Sequence, residues 1–361
     1  MTMKMHLGWF LNFAPPQWLD PFDQIGTSWT NGDFHVEVAR MLENAGFDFM
    51  MLEDTLMVSN VYGGTAETTL KYALQTPKMD PSLLAALVAK ATTRLGIVAT
   101  MSIMSHPPYT LARAIATLDH IAEGRGGWNI VTSGEDQAAQ NLGLDKLPPR
   151  EQRYEMAGEF TEIVTQLHQS WDADAIVMDR KTQTYADFTK VHEINYVGKH
   201  YKVRGPLNLP QPPSGKVTYL QAGGSPAGRQ FAAENADAII AAADGISGMK
   251  EYRDDVRARA AKAGRNPDEI KVLFLISPVL GSTVEEAQAK LAAIDADDAT
   301  VVSRLGMIST VTDIDFSKFD LDQPLPQDLT TNGEQGSLTK FMQKGDPAGA
   351  TKTLRELAVS G

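Results

Sequence analysis

Two periodicities alternate along the chain. Short apolar runs with strand character recur at 5–12 (MHLGWFLN), 47–54 (FDFMMLED), 95–102 (LGIVATMS), 127–132 (GWNIVT), 217–223 (VTYLQAG), 237–243 (DAIIAAA) and 271–281 (KVLFLISPVLG). Between them, apolar residues return at helical spacing in DFHVEVARMLENAG, DPSLLAALVAKAT, PYTLARAIATLDHIAEG, REQRYEMAGEFTEIVTQLHQSW, PAGRQFAAENA and VEEAQAKLAAI, several opened by Asp or Ser and ended by Gly. Strand and helix in turn is the pattern of parallel β/α units. Strands that are almost continuously apolar belong to a sheet covered on both faces. Seven such units predict an α/β fold of the (β/α)₈ type, a TIM-like barrel, in preference to an open doubly wound sheet.

The alternation is interrupted twice. Residues 173–216 form a polar and aromatic excursion that ends in prolines, long enough for a lid or a dimer-contact insertion. The tail over 296–361 is helical in patches, contains the irregular DIDFSKFDLDQPLPQDLTTNGEQG, and stops without an eighth apolar strand. No internal repeat or low-complexity tract divides the chain, so 1–361 is expected to be a single domain.

In a β/α barrel the chemistry sits at the carboxyl ends of the strands. Here those ends turn polar: Glu53-Asp54-Thr55 after the second, Thr100-Met101-Ser102 in the third, Asn129 to Ser133 in the fourth and QAGGSPAGR after the fifth. Taken singly, each has an ordinary role. Asp54 can cap a turn, Thr100 can sit satisfied in the core, and Asn129 can bridge strands. In succession they supply neutral donors and acceptors with one carboxylate, which suits an uncharged polar heterocycle. In the fifth, Gly223 and Gly224 let backbone approach a ligand, Ser225 can cap the following helix, and Pro226 tolerates its first position. The free N–H groups at such a helix start suit a phosphate; a plain capped turn is the alternative. As a dinucleotide fingerprint the stretch fails, because the middle glycine is Ser225 and Asp237 opens the next strand instead of ending it. Trp9, Phe10 and Phe13 could wall an apolar pocket, and His106 after the third strand lies on the mouth side.

Composition narrows the chemistry. With 33 basic and 45 acidic residues the net charge is −12, which disfavours nucleic acid and anionic membrane surfaces as partners. No run reaches the roughly twenty apolar residues of a membrane helix, and no secretory leader is evident, so a cytoplasmic location is expected. The absence of cysteine removes thiolate nucleophiles, disulfides and cysteine-held metal clusters together. The seven histidines form neither an H-x-H strand nor an H-E-x-x-H helix, so no metal is expected. Redox chemistry would need an organic cofactor.

The strings PYTLARAIATLDHIAEGR, GWNIVTSGEDQAAQNLGLDKLPPREQRYEMAGEF, HYKVRGPLNLPQPPSG and LQAGGSPAGRQFAAENAD resemble the nitrilotriacetate and dibenzothiophene-sulfone monooxygenases, a branch of the bacterial luciferase-like flavin enzymes. The resemblance runs from about residue 5 to about 330. It implies a luciferase-type barrel using reduced FMN from a separate NAD(P)H-dependent flavin reductase. With O₂ as co-substrate, one oxygen atom is placed on a small organic substrate, often with C–N or C–S cleavage. It also implies a homodimer or homotetramer. Residue by residue, Asp54 and Thr100 match flavin-contacting positions, while Tyr154 and Ser225 match positions at the flavin phosphate. Arg150 stands where several relatives carry histidine, and arginine can still pair with phosphate. Asn129 and Gly224 complete the expected cofactor contacts, and the sequence names no catalytic acid or base. Family members continue into a last strand and helix, so this chain is expected either to be truncated or to close its barrel otherwise. An F420-dependent oxidoreductase and a non-catalytic flavin-binding partner are the other readings. An aminopolycarboxylate substrate would call for basic residues such as Lys202 or Arg204 near the mouth.

Overall fold

The computed structural model describes residues 5–11, 30–243, 245–343 and 352–359. Its strands are β1 (Gly8–Leu11), β2 (Phe49–Leu52), β3 (Gly96–Ser102), β4 (Gly126–Val131), β5 (Ile176–Asp179), β6 (Thr184–Ala186), β7 (Tyr196–Val197), β8 (Lys202–Val203), β9 (Thr218–Gln221), β10 (Ala238–Ala241) and β11 (Lys271–Phe274). Seven of them, in the order β1-β2-β3-β4-β9-β10-β11, make one sheet in which every pairing is parallel. With helices on its outer face, this is a β/α barrel of seven strands among the described residues. All seven apolar runs of the sequence lie in it.

The two faces separate by the strand period of two. On the outside, Met50, Leu52, Ile97 and Ala99 pack on the helices Asp33–Ala45, Pro81–Ala91 and Pro108–Ile121. Trp128, Ile130 and Tyr219 pack outward on Leu111, Ile115, Phe160 and Val164, the last two from the helix Arg150–His168. Trp128 is fully buried, and its indole N–H donates to the Met101 carbonyl at 2.9 Å. Inside, Met51, Val98, Leu220 and Ile240 close the barrel with Phe10, Phe49 and Leu273. Gly127 makes room for that plug, because a Cβ there would stand 2.9 Å from Val98 Cγ2.

Within residues 173–216 the chain forms two small antiparallel pairs outside the seven-stranded sheet, β5 with β6 and β7 with β8. The tail is more ordered than its sequence suggests. Helices Asp298–Thr312, Gln335–Gln343 and Leu354–Val359 share a core of Leu305, Phe316, Leu338, Phe341 and Leu354. One expected boundary is corrected: the last strand, read to 281, ends at Phe274. Beyond Leu275, whose N–H donates to the Ala241 carbonyl, no further ladder forms, Pro278 has no N–H to give, and Ile276 and Leu280 stand exposed. Of the strand-one aromatics, Trp9 packs edge-on against Phe47 on the exterior, and Phe13 lies outside the described residues.

Candidate functional site

At the carboxyl ends of the strands the barrel opens into a cavity of about 410 Å³, a size usual for a cofactor or substrate site. Its floor follows from register. Val98 pairs with Gly127 in the apolar plug, and two residues on, Thr100 pairs with Asn129. The Asn129 side-chain N–H donates to Thr100 Oγ1 at 3.0 Å, which fixes the amide plane and leaves Asn129 Oδ1 buried without a partner. Gln221 Oε1, at the end of β9, is likewise buried and unpartnered, as is Thr55 Oγ1. Three orphaned acceptors along one polar surface call for a ligand with N–H or O–H donors, since a buried polar atom left unpaired costs about 1–3 kcal/mol.

A second region gathers groups that suit an anion. Ser225 caps the helix Pro226–Asn235, accepting from the Gly228 N–H at 3.1 Å. The Tyr154 hydroxyl bonds the Ser225 side chain, and burial holds the phenol above its ordinary pKa. Gly224 is bare backbone at this helix start, faced by Gly336 from the tail; a Cβ on Gly224 would come within 3.3 Å of Gly336 Cα. A cradle lined by glycine backbone, a hydroxyl pair and a helix N-terminus fits a phosphate. Together with the orphaned acceptors it fits a polar heterocycle joined to a phosphate.

The cavity wall also carries carboxyls. Glu53 accepts from Lys78 Nζ at 2.6 Å and from Gln75 Nε2 at 3.3 Å; burial raises its pKa, with Lys78 opposing. Burial pushes Asp54 up to about 6, again against the pull of Lys78. Glu135 is raised to about 7 by burial and then by Glu334, while the Gly134 N–H donates to its Oε2 at 3.1 Å. It is the group on this wall best placed to exchange a proton near neutrality.

All seven residues singled out from the sequence line this one cavity: Asp54, Thr100, Asn129, Arg150, Tyr154, Gly224 and Ser225. Phe10 lines it too, whereas Trp9 and His106 do not; the Nδ1 of His106 bonds Ser105 Oγ at 2.8 Å. Lys202 and Arg204 lie in the insertion outside the lining, Arg204 paired with Glu193. The sequence reading missed Glu135, Arg153, Gln221 and the segment Gly333–Ser337 with Lys340. For Gln221 a signal existed, a polar residue ending the apolar run VTYLQ. For the tail segment there was none, because only its packing across the barrel mouth brings it there.

A family model described as luciferase-like monooxygenase matches residues 5–354. The chain belongs to the luciferase-like monooxygenase family. This luciferase-like chain is 37% identical over 296 residues to dibenzothiophene-sulfone monooxygenase of Rhodococcus erythropolis, covering 82% of the chain and 65% of that protein. It is 36% identical over 306 residues to nitrilotriacetate monooxygenase component A of Aminobacter aminovorans, covering 83% and 67%. The chain thus spans about two thirds of the length of these curated relatives. A crystal structure of riboflavin lyase with modified FMN and substrate riboflavin matches with a TM-score of 0.88 and 30% identity, over 99% of this chain and 78% of that one.

Proposed function

We propose that this protein is an FMNH₂- and O₂-dependent monooxygenase of a two-component system, served by a separate NAD(P)H:flavin reductase. The observation that carries the reading is the division of one cavity into a polar floor with unpartnered Asn129 Oδ1 and Gln221 Oε1, and a glycine-lined helix start at Ser225. That division matches a heterocycle joined to a phosphate. Membership of the family, and the modified FMN in the similar riboflavin lyase, support it.

Reduced FMN, when bound, supplies the electrons that let O₂ deliver one oxygen atom to an organic substrate. The chain's own residues bind, orient and keep dry. Thr100 holds the Asn129 amide so that Oδ1 faces ligand N–H groups, and Gln221 offers a second acceptor. Ser225, Tyr154 and the N–H groups of the helix start hold the phosphate. Phe10 and Ile240 form the apolar wall that keeps water from the reacting atoms. The Glu135 carboxyl, titrating near neutrality, holds a proton at the cavity wall. We read the chain as one catalytic domain, with 173–216 as a contact insertion, working as a cytoplasmic homodimer or homotetramer. Among the described residues no helix is long and apolar enough to cross a membrane.

Anaerobic titration with photoreduced FMN, followed by ¹⁸O₂ and a panel of sulfides, sulfones, alkanes and amines, tests the reading. Saturable binding and one labelled oxygen atom in a product are expected. Hydride transfer to F420 without oxygen uptake would overturn it in favour of a dehydrogenase.

A further inference from the structure

Arg150 does more than face the cavity. Its Nη2 donates to the Thr331 carbonyl and, at 3.2 Å, to the Gly333 carbonyl, and its backbone N–H donates to Asn332 Oδ1 at 3.1 Å. One turn along the same helix, buried Arg153 donates to the Asn332 carbonyl at 2.8 Å and to the Pro148 carbonyl at 2.7 Å. Two arginines of one helix thus hold three consecutive residues of the tail. From there residues 331–337 run as a strap across the mouth. At one end Gly333 lies on the β4 loop, where a Cβ would come within 2.9 Å of the Gly134 carbonyl oxygen. At the other, Gly336 lies on the β9 loop, where a Cβ would come within 3.1 Å of Gly224 Cα. The strap therefore covers the end of the cavity that holds Ser225 and Tyr154.

No described residue accepts from Arg150 Nε or Nη1, and Arg150 lines the cavity. Carbonyl oxygens satisfy hydrogen bonds without neutralising the guanidinium. A phosphate does both, and arginine's rigid fork can serve carbonyls at one nitrogen and an anion at the others. Lysine has no such fork.

We propose that Arg150 is a positioning residue that couples the phosphate of the ligand to the strap, so that residues 331–337 close over the cavity in response to phosphate. The inference rests on the flavin reading above and extends it. Coupling between two events is reciprocal: if phosphate favours the closed strap by some factor, the closed strap favours phosphate by that same factor.

Hydrogen exchange of peptides spanning 331–337 tests this with the protein alone, with saturating FMN and with saturating riboflavin, which has the same ring and no phosphate. Binding is followed in the same samples by flavin fluorescence. FMN is expected to slow strap exchange by about tenfold, and bound riboflavin by less than about twofold. R150K keeps the charge and loses the fork; it is expected to lose the slowing by FMN while binding riboflavin as before. Thr331→Val removes a hydroxyl that donates to the Thr312 carbonyl and accepts the Gly333 N–H, and Thr331 does not line the cavity. It is expected to speed strap exchange and to weaken FMN binding, with riboflavin affinity unchanged. Equal slowing by both bound flavins, no slowing by bound FMN, or FMN-specific slowing that survives in R150K overturns the proposal. Failure of both flavins to bind instead removes the flavin reading, and the strap coupling with it.

Discussion

Glu135 shows how one side chain ties the site to stability. Burial, then Glu334, raises its carboxyl to about 7 in the folded protein, whereas an unfolded chain leaves glutamate near its ordinary 4.3. A raised folded pKa means that the native state binds the proton more tightly. The stabilisation is full below the unfolded pKa and is lost as pH rises through about 7. Glu135→Gln keeps an acceptor for the Gly134 N–H and removes the charge. It should raise unfolding free energy by about 1–3 kcal/mol at pH 8 and leave it nearly unchanged at pH 4; urea melts at the two pH values check this. Lys78 has the opposite character. It is well buried and paired with Glu53 at 2.6 Å. Removing one partner of such a pair strands the other, so Lys78→Met should cost about 3 kcal/mol at pH 8, and adding Glu53→Gln should recover most of it.

The elements differ in how openly they announce their function. Helix Pro226–Asn235 carries its instructions locally: a Ser cap, Pro at the first position, and glycines before and within its first turn. Those signals were legible, and so was the helix start they mark. The reason for Gly228 was not. A Cβ there would meet the Tyr154 hydroxyl at 2.7 Å and Gly223 Cα at 2.9 Å, both rigidly placed. Gly228→Ala should therefore push the helix off the strand end. It is expected to cost about 1–3 kcal/mol and to weaken FMN more than it weakens riboflavin, which parallel melts and titrations measure. Strand β4 was legible for another reason. Alternation sends Trp128 and Ile130 outward and Asn129 inward, so a polar residue inside an apolar run marks the lumen.

At the scale of the molecule, the sheet has two edges among the described residues, β1 and β11, and apolar side chains stand exposed beyond the second. Ile276 and Leu280 are 74% and 77% exposed. Such a patch next to an unpaired strand edge favours self-association. The double variant I276K/L280K should reduce light scattering and hydrophobic-dye binding by this chain, with a stability change within about 0.5 kcal/mol because neither side chain packs in the core.

The sequence by itself determined the seven strands, the direction of their pairing and the polar residues at their carboxyl ends. Each of those depends on periodicity and on residues within one β/α unit. The barrel then converts local position into shared location: Asp54, Thr100, Asn129 and Ser225 meet because parallel strands all end on the same rim, and the helix Arg150–His168 brings Tyr154 to it. Only the tertiary structure decided what covers that rim. Gly333 to Ser337 carry no strand or cap signal that points to a site; they reach the cavity because Arg150 and Arg153 hold carbonyls about 180 residues further along the chain. Nor does periodicity register the pKa of Glu135, which burial raises first and Glu334 and Asp313 from the tail raise further. Contacts set by backbone carbonyls and bare glycines leave no trace in side-chain pattern, so their effect on the site emerged only when the chain was folded.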